Sequence, residues 1–223
     1  MLFLRNVKRW DAIYKKNGRT YITSLEYLTE ILTLFQTNSV KKILDLGCGS
    51  GGYIVSLAKN GFEVYGLDFS MEAIEVSKSW LKEEGYEGNL KLGSIYKKLP
   101  YEDNVFDAVL SFRVIHHATI DDIRKMIKEL ERILKPQGLI FITVPKWRMP
   151  RKKMGNFKKF DSRTFIFKEG DQKDVIHYLF NKKLLKKEFN NFKIDTLRID
   201  NSYYTKDNLT MTEQYYCLIG KKL

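Results

Sequence analysis

The sequence is poor in cysteine, proline and acid, and each shortage excludes something. Two cysteines, Cys48 and Cys217, stand far apart in 223 residues. They are too few for a disulfide framework, so a reducing compartment is expected. Four prolines and 14 glycines exclude collagen-like and low-complexity chains. No apolar run approaches the roughly 20 residues needed to cross a bilayer. The opening MLFLRNVKRWD turns charged after its first apolar residues, unlike a signal peptide or an anchor. A soluble cytoplasmic protein with no membrane partner is the expectation. Acids are outnumbered, 27 against 39 basic residues, giving a net charge of +12. Such a balance attracts nucleic acid, acidic lipid or anionic substrates. It names no partner until the charges are shown to share one face.

What is present is enough for a core: 43% of residues are hydrophobic and 30% charged, which excludes a disordered chain. Residues 1–39 read as an amphipathic helical cap, with Leu25, Leu28, Ile31, Leu32 and Phe35 on one stripe. From residue 41 onward, short apolar runs alternate with helical patterns. Strands are predicted at 41–46, 62–67, 90–94, 106–111 and 139–144. Helices are predicted from Tyr53 to Asn60, from the N-cap Ser70 towards Gly85, and from Thr119 to the stop at Pro136 and Gly138. Residues 146–175 show no period and read as a long irregular insertion. A helix near 181–189 and two strands, 192–199 and 214–220, joined by a polar loop, complete the pattern. This predicts one α/β domain with a mostly parallel sheet and helices on both faces. Its parts are the cap 1–39, a core 40–145, the insertion 146–180, and a C-terminal helix with two strands, 181–223.

In such sheets the ligand sits beyond the carboxyl ends of the strands, where strand order reverses. There the sequence places Gly47-Cys48-Gly49-Ser50-Gly51-Gly52. Gly47, Gly49 and Gly52 formally satisfy G-x-G-x-x-G, and Asp68 follows at a distance suited to a ribose hydroxyl. Asp45 argues against a dinucleotide, because a carboxylate beside the turn opposes a pyrophosphate and suits a cationic nucleoside. The plainer reading is that Asp45 only braces the loop backbone.

The run Leu44-Asp45-Leu46-Gly47-Cys48-Gly49-Ser50-Gly51 resembles motif I of class I S-adenosylmethionine-dependent methyltransferases. Gly66-Leu67-Asp68-Phe69-Ser70 resembles their second motif, 106–111 their fourth strand, and Leu134-Lys135-Pro136-Gln137-Gly138 the turn before their fifth. The resemblance spans residues 40–145, with the motifs in family order. It implies a Rossmann-like seven-stranded sheet whose last strand is antiparallel, and S-adenosyl-L-methionine as cofactor. It also implies that Asp45, Gly47, Cys48, Gly49 and Gly51 line the methionine moiety. Asp68 would take the ribose, Phe69, Ser94 and Ile95 would border the adenine, and Ser111, Phe112 and His116 would lie near the sulfonium. Two positions depart from the family pattern: Ser94 stands where many relatives carry an acid, and Gln137 stands where they carry glycine.

His116 and His117 follow the fourth strand, and either could act as a general base. Packing beneath the cofactor is the alternative for at least one of them. In-line methyl transfer needs alignment more than proton transfer, so no base is obligatory. Two adjacent histidines without a spaced carboxylate or cysteine make a poor ligand set, so no metal is expected. Tyr14, Tyr21, Arg113, Trp147, His177 and Tyr178 are candidate acceptor contacts, each with an equally simple packing role. Residues 146–159 hold seven basic residues, no acid, and the aromatics Trp147 and Phe157. That composition suits single-stranded RNA and equally a solvated lid over the cleft. Neither cysteine follows a proline, and Ser111-Phe112-Arg113 is not the Asn/Asp-Pro-Pro-aromatic signature of base amino methylation. The readings are therefore a methyltransferase acting on a small molecule, the same chemistry on RNA such as tRNA, and a non-catalytic adenosine-ligand binding module.

Overall fold

The architecture follows from one central strand and what flanks it. In the computed structural model, residues 2–20, 27–146, 156–170, 172–206 and 209–223 are described, without the side chains of 2–6, 204–206 and 209–211. Strand β1 (Lys42–Leu46) is buried along nearly all its length. It pairs in parallel with β2 (Glu63–Asp68) on one side and β4 (Phe106–Phe112) on the other. Beyond β2 lies β3 (Asn89–Leu92); beyond β4 lie β5 (Leu134–Pro145), β10 (Leu209–Lys222) and β9 (Phe192–Lys206). The seven-stranded order is β3-β2-β1-β4-β5-β10-β9, with β10 antiparallel to both neighbours. The chain winds outward from β1 to β3, then returns to the far side of β1 for β4. The switch point is therefore at β1 and β4, and a ligand crevice opens beyond their carboxyl ends.

Strand alternation feeds two cores. Leu44, Leu46, Val109, Ile140, Ile142 and Leu218 face one side, where α5 (Ile120–Ile133) and α6 (Lys182–Glu188) supply Ile123, Leu130 and Leu185. Ile43, Ala108, Leu110, Phe141 and Cys217 face the other. That face is covered by α2 (Leu28–Thr37), α3 (Gly52–Lys59) and α4 (Met71–Glu83) through Ile31, Phe35, Ile54, Leu57 and Ile74. Strands with both faces covered read as continuous apolar runs, which is why β5 is legible in sequence. The caps are in place. Ser70 accepts from the Ala73 amide, Thr119 from Asp122 and Asn181 from Leu184, each satisfying a free first-turn N–H.

Three expectations change. The cap is two helices, α1 (Leu2–Asn17) and α2, rather than one continuous stretch. The region between the last two strands is no polar loop: β9 runs to Lys206 and β10 starts at Leu209, paired throughout. The ribbon extends past the end of β5. From residue 157 onward the insertion holds regular structure. Strands β6 (Phe157–Lys159), β7 (Thr164–Phe167) and β8 (Ile176–Tyr178) form a separate antiparallel sheet, each strand too short to show a period.

Candidate active site

The loop after β1 is built from left-handed glycines. Gly47, Gly49 and Gly51 have φ of 84°, 52° and 90°. The amides of Gly47 and Cys48 donate to the Leu67 carbonyl, at 2.7 and 3.2 Å, fixing the loop to the end of β2. At Gly51 a Cβ would collide with the Ser77 side chain of α4, and at Gly49 it would lie 2.6 Å from the Tyr14 hydroxyl of α1. Gly52 is the first residue of α3 and takes helical backbone. The effective spacing is Gly-x-Gly-x-Gly, not the formal G-x-G-x-x-G. Cys48 turns inward against Gly66, and burial pushes its thiol well up, so it fills space rather than reacts.

Two buried carboxyls border this loop. Asp68, at the end of β2, accepts from Gly49 N and Ser70 N, both at 2.9 Å. Burial raises its pKa to about 6 despite these backbone donors. Asp45 is raised further, to about 8, by burial and then by Asp68; among the described residues no hydrogen bond offsets this. At neutral pH the standing negative charge is therefore on Asp68, while Asp45 holds a proton that a nearby cation would displace. A third carboxyl joins them: Asp11 of α1 accepts from Ser70 Oγ at 2.6 Å. Sequence reasoning missed Asp11; its signal was its place in the same helical turn as Trp10 and Tyr14.

On the β3 side, Ser94 Oγ accepts from Tyr96 N at 3.2 Å. Ile95 is buried in the α5-side core. Phe69 is half-buried between Asp68 and Ser70.

At the end of β4 the side chains divide. Ser111 is fully buried and donates to the Leu46 carbonyl at 2.8 Å. Phe112 stacks on Tyr53 at 4.1 Å. Both side chains are thus held by core contacts at the carboxyl end of β4. Arg113 has left-handed backbone, φ 57°, fixed by its amide donating to the Thr143 carbonyl at 3.0 Å. Its guanidinium crosses to Tyr215, 4.0 Å from the ring centre, and donates to Ser202 Oγ at 3.3 Å. Val114 fills the space a Gly47 side chain would need.

His116 and His117 lie in the following turn, with ring centres 3.9 Å apart. His177 of β8 approaches both, at 5.8 and 5.0 Å. The Tyr178 amide donates to the His116 carbonyl at 2.7 Å, and His117 Nδ1 lies 3.3 Å from the Ile176 carbonyl. Burial holds all three imidazoles neutral, with His117 near 4 and His116 and His177 well below the usual histidine range. The expectation of no metal rested on the adjacent pair; the fold adds a third imidazole. Tyr178 points the other way, to Phe180, because successive strand residues face opposite sides. It does not share the face of His177.

Helix α1 spans both regions. Tyr14 touches the glycine loop, and Trp10 lies against both Tyr14 and His117, at 6.1 and 5.5 Å. Ser50 and Thr20 exchange two hydrogen bonds, at 2.8 and 3.2 Å, tying the segment after α1 to the loop. Tyr21 and Trp147, with most of the basic 146–159 run, lie outside the described residues.

Residues 44–142 match the methyltransferase domain family. The match takes in just under half of the chain, the part that holds the glycine loop, Asp45 and Asp68. A ubiquinone biosynthesis O-methyltransferase of Rickettsia felis is 33% identical over 120 residues, covering 53% of this chain and 48% of that one. The chain spans about half the length of the curated relatives it matches first. The fold is shared with a protein of Pyrococcus horikoshii OT3 at TM-score 0.69 and 22% identity, over 95% of this chain and 99% of that one. An S-adenosylmethionine-dependent methyltransferase of Methanosarcina mazei gives 0.66 and 22%, over 82% and 92%. The methyltransferase motifs thus sit where the switch point puts them. Among the described residues no helix is long and apolar enough to cross a membrane.

Proposed function

We propose that this chain transfers a methyl group from S-adenosylmethionine to a small-molecule acceptor. The observation that carries the reading is the cradle formed by Gly49 and Asp68. A left-handed glycine packed beneath the Tyr14 hydroxyl presents its amide to a buried carboxylate at the switch point. S-adenosylmethionine suits this cradle by sign, being a cationic nucleoside beside Asp68 and Asp45. It supplies a methyl group on a sulfonium, already carried by a good leaving group.

The chain's own part is to bind, align and dry the site. Asp68 keeps lone pairs for the ribose hydroxyls while the Gly49 and Ser70 amides hold it in place. Asp45 offers its carboxyl to the cation and gives up its proton as it does so. Gly47 and Gly51 shape the loop around the methionine end, Ser94, Ile95 and Phe69 border the adenine, and the backbone of Ser111 and Phe112 floors the crevice. Trp10 and Tyr14 close α1 over the loop and exclude water, which strengthens each of these charge interactions. The β6–β8 sheet flanks the acceptor side, bonded to the turn after β4 through His116 and His117. This enclosure supports a small acceptor, as does the relative named for ubiquinone biosynthesis.

Calorimetry with S-adenosylhomocysteine and with NADH tests the cofactor; heat from NADH alone overturns the reading. Neutralising Arg151, Lys152 and Lys153 together tests the acceptor class. Salt-dependent RNA retention that vanishes in this variant would move the acceptor from small molecule to RNA.

A further inference from the structure

The chain contains three histidines, and the fold brings all three to one buried place. Their ligating atoms lie within 4.8 Å of one another. Exposures are 2%, 5% and 0% for His116, His117 and His177. We propose that these residues form a three-histidine site for one zinc-class divalent metal, at the seam between the core and the insertion sheet.

The geometry supports it in three ways. Tetrahedral zinc–nitrogen bonds of about 2.0–2.1 Å place donors about 3.3 Å apart. Imidazole rotations that close at most about 1.5 Å reach that spacing. Next, the Ile176 carbonyl beside His117 Nδ1 fixes the tautomer that leaves Nε2 with its lone pair, as an outer carbonyl does for metal-bound histidine. Finally, the pair and the third ligand come from segments already joined backbone to backbone by Tyr178 N and His116 O. A metal would therefore clamp an existing contact rather than create one. The rings are held on their outer sides, His177 stacked on Phe165 at 5.1 Å and His117 against Trp10. Neutral imidazole is the ligating form, and burial keeps these rings in it.

Three neutral ligands leave the ion its full charge and an open fourth position. That position would take hydroxide or, on the methyltransferase reading, an ionised oxygen or sulfur of the acceptor. The site itself does not depend on that reading.

Cobalt(II) titration of the chelator-stripped full chain tests the site. Intense visible bands of four-coordinate cobalt should saturate at one equivalent, and zinc should bleach them, as its higher affinity requires. The pale spectrum of hexa-aqua cobalt throughout overturns the proposal. His177→Ala should remove the bands and weaken zinc at least about 100-fold; unchanged affinity overturns it. His177→Cys keeps a donor, so it should retain one equivalent and add a sulfur-to-cobalt charge-transfer band. This variant decides if His177→Ala fails to fold. S-adenosylhomocysteine calorimetry on the stripped protein separates the two proposals, since it reads the cofactor cradle alone.

Discussion

Asp68 Oδ2 accepts the Gly49 amide at 2.9 Å across the gap between two parallel strand ends. This bond links the acid of β2 to the turn of β1, so the position of the ribose-side carboxylate and the shape of the loop are set together. A change at either residue will be felt at the other.

Asp68→Ala removes a charged acceptor from two backbone amides and from the ligand. Hydrogen bonds to charged groups contribute about 1.5–3 kcal/mol. Affinity for S-adenosylhomocysteine should fall by at least about tenfold in calorimetry. An unchanged dissociation constant contradicts the ribose role.

Asp45 and Asp68 make stability depend on pH in an unusual direction. Their folded pKa values, about 8 and about 6, lie above the unfolded value of about 3.9. Between these limits the folded state holds more protons than the unfolded state, so its stability falls as pH rises. Their contribution is complete below about pH 4 and is lost progressively as pH climbs through about 6 and about 8. The three buried histidines act the other way as pH falls below about 6.5, so the test is differential: Asp45→Asn should gain melting temperature relative to the wild type between pH 5.5 and pH 8. Ligand binding should release protons near neutral pH, read as a dependence of the binding heat on buffer ionisation enthalpy.

Gly51→Ala places a Cβ in left-handed backbone and against the Ser77 side chain. Left-handed conformation alone costs about 1–2 kcal/mol for an L-residue. Urea denaturation should show a loss of about 2 kcal/mol or more, the collision adding to the strain.

Ser111→Ala separates packing from ligand contact. The hydroxyl donates to a buried carbonyl, so its loss should cost about 1 kcal/mol of stability. Cofactor affinity should stay within twofold of the wild type, whereas a tenfold loss would put the hydroxyl in the binding site.

The sequence alone determined what is encoded by neighbours along the chain. The strand runs, the caps at Ser70, Thr119 and Asn181, and the glycine turn with Asp45 and Asp68 depend on spacing over a few residues. Backbone sterics and burial act at that range, so the glycine loop and its two bordering carboxyls were legible. Tertiary structure decided the rest. Ring stacking of Phe112 on Tyr53, the opposed faces of His177 and Tyr178, and the reach of Asp11 to Ser70 depend on elements distant in sequence. The third glycine of the turn is set by α4, whose Ser77 approaches Gly51. The convergence of His177 on His116 and His117 crosses some 60 residues, and no local pattern records it. It arises because the insertion has its own small sheet, and a strand in that sheet must turn one face inward.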